Sequence, residues 1–159
     1  MPYQVRPLSQ QQLAYFAMNR TQQQPCAYEE AIQDICSQPL PQQPADFIPQ
    51  IRKMHQVLAS QRYKMHHTPA MMGAVVARTV EMLCRYQPHF TVRANRIVPF
   101  RDGEAGFQPL LDWAFHAQGL VEMVRRMRYD SRGRTVLKHV DWFERSVRPL
   151  GFEFPRCGG

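Results

Sequence analysis

Residues 68–87 read TPAMMGAVVARTVEMLCRYQ, and Pro88 follows. Thr68 before Pro69 is a helix start: a threonine oxygen accepts from a first-turn N–H, and proline at the first helical position gives up a donor that has no intrahelical partner there. Pro88 is a stop, because its ring disfavours helical geometry in the residue before it. Between these signals Met72, Val75, Val76, Thr79, Val80 and Leu83 form one contiguous apolar face, with Arg78, Glu81 and Arg85 on the other. A capped segment of this kind predicts a central core helix against which the rest of the chain must pack.

Towards the C-terminus the period changes. In His89–Phe100, HFTVRANRIVPF, the β-branched Thr91, Val92, Ile97 and Val98 stand among Arg93 and Arg96, which predicts one strand or an extended connector. The turn RDGEAG leads into a helix from about Phe107 to Arg126, with Leu110, Leu111, Ala114, Phe115, Val121 and Val124 facing inward. RRMRYDSRGRTVLKHV admits two readings, an αα-hairpin turning at YDSRG or a β-hairpin around 124–138 with Gly133 in the left-handed position. Val136, Val140, Phe143 and Val147 recur at helical spacing, and Asp141–Arg145 and Glu144–Arg148 stand at i,i+4, so a helix from about Arg134 to Arg148 is favoured. The tail LGFEFPRCGG is irregular, with Phe152 and Phe154 packing back on the body.

Towards the N-terminus, Asp46 to about Lys64 places Phe47, Ile51, Met54 and Leu58 on one face of an amphipathic surface helix. The first fifty residues hold twelve of the seventeen Gln and seven of the thirteen Pro. Two helical pieces are expected within them, one capped by Ser9 and running to about Arg20, the other from Ala27 to Cys36. The expected organisation is a Gln/Pro-rich segment over 1–45, loosely docked or partly flexible, and one helical domain over 46–159. The fold class is mainly α, a compact bundle-like domain of five or six helices with at most a small β element. An α+β fold with the short hairpin at 124–138 is the alternative.

At 159 residues and 44% hydrophobic composition the chain can build its own core without disulfides or metal. The four Cys (Cys26, Cys36, Cys84, Cys157) form no CxxC pair, so reduced thiols are expected. MPYQVRPLSQQQ lacks the apolar run of a secretory signal, and Met65–Ala77 is too short to span a bilayer. A cytoplasmic protein is expected, with signal-independent export left open.

Charge is the most informative bulk property. The net value is +7, and seventeen of the twenty bases are Arg, whose forked donors fit phosphate and carboxylate oxygens. Residues 51–100 hold eight bases against Glu81 alone, and Arg125, Arg126, Arg128, Arg132, Arg134 and Lys138 crowd into fourteen positions around Asp130. Together with Arg78, Arg85, Arg93 and Arg96 these are the candidate nucleic-acid or anion-binding residues. Tyr63, Tyr86, Phe90 and Tyr129 lie within four residues of an Arg, an interleaving that suits base stacking on single strands.

Catalytic signals are weaker. His55, His66, His67, His89, His116 and His139 show no spacing that presets a tetrahedral metal site, and neither GxGxxG nor GxxxxGK[ST] occurs, so no metal or cofactor is expected. An enzyme would have to rest on Asp102, Asp112 and His116, where Asp112 stands four before His116, or on a Cys–His contact made by the fold. The leading expectation is therefore a non-enzymatic regulatory or accessory protein binding nucleic acid or another polyanion through an Arg-rich face. The rival is a protein-interaction module or secreted bacterial effector or adaptor, acting through the N-terminal segment and a hydrophobic groove to which Met65, Met71 and Met72 contribute. The partner is then an acidic protein surface.

Overall fold

The structure is a computed structural model, and it describes residues 23–59, 68–101, 107–129 and 133–155. Within these residues five α-helices and one β-hairpin follow in chain order: α1 (Gln23–Ser37), α2 (Ile48–Ala59, entered through a 3₁₀ turn at Pro44–Phe47), α3 (Pro69–Arg85), β1 (Phe90–Arg93), β2 (Arg96–Pro99), α4 (Phe107–Arg126) and α5 (Arg134–Val147). The mainly α expectation, with a small β element, is met. The 124–138 hairpin is not formed: α4 runs to Arg126 and α5 begins at Arg134. The helix expected over Ser9–Arg20 and the 60–64 end of the Asp46–Lys64 helix lie outside the described residues.

Helix α3 is the centre. Thr68 Oγ1 accepts from Met71 N at 3.1 Å, and Pro69 sits in the first turn, as the sequence predicts. Helix α1 packs on one flank, burying Ile32 and Ile35, and α5 packs on the other. The α3–α5 approach is close because Gly73 has no side chain: a Cβ there would stand 2.5 Å from the His139 ring. Helices α2 and α4 pair in a second group, with β2 against α4.

Between the two groups lies the core, in which each fully buried large apolar side chain contributes about 1.5–3 kcal/mol. Tyr86 and Phe90 both meet the buried Trp113 ring, at centroid distances of 5.7 and 5.5 Å, and the Tyr86 hydroxyl donates to Pro41 O at 2.5 Å. Both aromatics are buried, which removes them from the stacking set; Tyr129 is exposed, and Tyr63 lies outside the described residues. Met71 and Met72 are also buried core residues, and Met65 lies outside the described residues. Phe152 and Phe154 pack back on the body as expected, Phe154 against Phe143 at 6.1 Å.

Three local expectations are corrected. Residues 90–99 form two antiparallel strands, pairing Val92 with Ile97 and Arg93 with Arg96, joined by Ala94 (φ 50°) and Asn95 (φ 63°). The turn is hard to see in sequence because neither residue is Gly; Asn95 is tied down instead, its Oδ1 accepting from Glu153 N at 2.6 Å. Helix α4 is rotated from the expected orientation: Trp113, Ala117 and Leu120 are buried with Ala114, Val121 and Val124, while Leu111 and Phe115 are 41% and 76% exposed. Asp141 and Glu144 do not stabilise α5 from within, because both bond to Arg128. Among the described residues, no helix is long and apolar enough to cross a membrane.

Candidate binding groove

The turned-out face of α4 is the floor of a groove of about 990 Å³. Leu111, Asp112, Phe115, His116, Gly119 and Glu122 recur along it at helical spacing; α2 adds Ile51, Arg52, His55 and Gln56, and β2 adds Arg96 and Ile97. The β2 wall is attached to the floor by the Gln118 amide, whose Oε1 accepts from Ile97 N at 2.7 Å while Nε2 donates to Asn95 O at 3.0 Å. The α2 wall closes through His55, which sits over Gly119, where an added Cβ would be 3.5 Å from the imidazole Cε1. Burial, reinforced by the positive charges of His116 and Arg126, pulls the His55 pKa below its ordinary 6.5.

The nine arginines and one lysine singled out by charge fall, where they are described, into three groups. Arg78 is buried at 2% exposure, donates to Gln38 O at 2.6 Å and Glu81 Oε1 at 3.0 Å, and lies 5.2 Å above the Phe47 ring. It is an internal strut and cannot reach an external anion. Arg128 is likewise committed, to Asp141 at 2.5 Å and Glu144 at 3.1 Å, and half-buried Arg125 pairs with Glu122 at 3.5 Å beneath a 5.3 Å contact with Phe154. Arg85, Arg93, Arg96, Arg126, Arg134 and Lys138 remain exposed, with no ion pair among the described residues. Arg132 lies outside the described residues.

Among the described residues no hydrogen bond joins the catalytic candidates to one another. Asp112 and His116 both line the groove, but Asp112 Oδ1 accepts from Gln108 Nε2 at 3.0 Å. Asp102 lies outside the described residues. The Cys36 thiol bonds to Ala74 O at 3.5 Å, and burial pushes its pKa up to about 11, so at neutral pH it is the protonated, unreactive form. Among the described residues no three His, Cys, Asp or Glu side chains converge on a metal position.

Sequence reasoning passed over Leu111, Phe115, Arg52 and His55 as a group. Helix α4 is apolar on most of its circumference, so periodicity alone does not say which stripe faces the core. A signal was present in the position of Trp113: the largest side chain of α4 is two residues from both Leu111 and Phe115, and burying it turns those two away. Comparison with known protein families, with curated proteins and with solved structures finds no match to this chain.

Proposed function

We propose that this chain is a protein-interaction module and that the α2–α4–β2 groove is its recognition surface. The observation that carries this is the stripe of Leu111 and Phe115, held exposed on a helix whose opposite side is fully buried. An apolar stripe in a concave, polar-rimmed setting is how partner sites are built, since a docking segment buries the stripe while the rim supplies orientation. The test is a photo-crosslinking side chain at position 115 in the native host, with the same group at Trp142, exposed on α5, as control. A protein adduct specific to position 115, identified by mass spectrometry, supports the reading. Identical adducts from both positions, or none from 115, count against it.

Nucleic-acid binding is the second reading, and the exposed guanidiniums of Arg85, Arg93, Arg96, Arg126 and Arg134 with the exposed Tyr129 favour it. Fluorescence anisotropy with mixed-sequence single- and double-stranded DNA and RNA at two salt concentrations tests it directly. A phosphate-backbone binder loses affinity steeply as salt rises. No binding at low salt would remove this reading and leave the groove.

A further inference from the structure

The chemistry of the groove narrows what can lie in it. Arg52 on the α2 wall and Arg96 on the β2 wall are exposed and form no ion pair among the described residues. The two groove carboxylates, in contrast, already have donors: Asp112 from Gln108 at 3.0 Å, and Glu122 from Gln118 at 2.9 Å and Arg125 at 3.5 Å. Arg96 also stands directly opposite Arg93 across the hairpin, a like-charge pair that costs stability until an anion lies beside it. The groove therefore has apolar area on its floor and unmatched positive charge on both walls.

Its shape restricts the occupant's backbone. In the observed register, β2 turns the backbone nitrogens of Ile97 and Pro99 away from β1. The Ile97 N–H is taken by Gln118, and Pro99 has no N–H, so the outward edge has no free donor with which to receive an added strand. A helix needs no such donors. From Leu111 to Glu122 the floor spans eleven helical steps, about 16 Å, which is three turns.

We propose that the partner segment is a short acidic amphipathic helix, with its apolar stripe on Leu111 and Phe115 and its carboxylates on Arg52 and Arg96. This rests on the reading of the groove as the recognition surface. The test selects displayed random 14-residue peptides on the full chain, with counter-selection on Phe115→Asp. Enriched peptides are then titrated by fluorescence polarisation against wild type, Phe115→Asp, Phe115→Ser and the Arg52→Glu/Arg96→Glu double variant. All three positions are solvent-exposed, and circular dichroism checks that each variant is folded.

The expected result is a set of net-negative peptides with apolar residues at i, i+3 or i+4 and i+7. They gain helicity on binding and lose at least tenfold in affinity to Phe115→Asp and to the double variant. Groove-dependent peptides that are basic, proline-rich or extended would overturn the acidic-helix proposal and leave the groove reading standing. Absence of any groove-dependent peptide would overturn both. A concentration-dependent dimer abolished by Phe115→Asp would assign the groove to a second copy of the chain and overturn the proposal.

Discussion

Helix α4 carries arginine-rich surroundings at its C-terminal end and a mostly apolar face along its outer side, and the two regions have opposite fates. At the C-terminal end Arg125 and Arg128 meet Glu122, Asp141 and Glu144, so two of the six bases in the densest run of positive charge are matched inside the protein, while Arg126, Arg134 and Lys138 stay exposed. Along the groove the bases are fewer, yet Arg52 and Arg96 meet no carboxylate among the described residues. Linear charge density is thus a poor guide to external field: what counts is which carboxylates the fold delivers to each guanidinium.

The contrast is sharpest in stability measurements. Arg78→Ala leaves Gln38 O unpaired beside the space of the lost side chain, an expected loss of about 2–4 kcal/mol in urea unfolding. Arg128→Ala strands the half-buried Glu144 and cuts the link between α4 and α5; about 2–3 kcal/mol should be lost. Simultaneous reversal of Arg125, Arg126 and Arg128 should therefore unfold the protein, whereas Arg96→Ala or Arg52→Ala should stay within about 0.5 kcal/mol of wild type. Equal losses in the two sets would erase the distinction.

A smaller effect is expected at the groove wall. Ala94 holds a left-handed φ of 50°, which costs a non-glycine residue about 1–2 kcal/mol. Ala94→Gly relieves that and adds a backbone-entropy cost of about 0.5–1 kcal/mol, so a net gain of about 0.5–1 kcal/mol is expected. The smallest effect concerns His55, whose imidazole resonances should titrate below 6.5 by NMR. Its folded pKa is lowered, so the stability it governs is fully present above 6.5 and is lost as pH falls through the lower, folded value. His55→Gln should flatten that slope, and an unshifted titration would contradict the burial of the ring.

Legibility in the sequence followed the locality of the cause. The start of α3 is written in two adjacent residues, Thr68 and Pro69, and the buried face of α5 in the simple recurrence of Val136, Val140, Phe143 and Val147. The burial of Arg78 is not local: Gln38, Phe47 and Gln50, twenty-eight or more residues away, close over it. The hairpin was hidden because Ala94 and Asn95 lack the glycine that usually marks such a turn, and its support comes from Gln118 and Glu153. The groove was hidden for a related reason, since the orientation of α4 depends on where Trp113 finds its aromatic neighbours.

The Gln118 amide has a consequence for the rate at which a partner leaves. One side chain on the groove floor holds the β2 wall through both Ile97 N and Asn95 O, and it also reaches Glu122 at 2.9 Å. Wall and floor are joined before anything docks, so little conformational freedom is left to lose on association. Partners that differ in how well they fill the space over Leu111 and Phe115 would then arrive at similar speeds. They would be told apart by residence time.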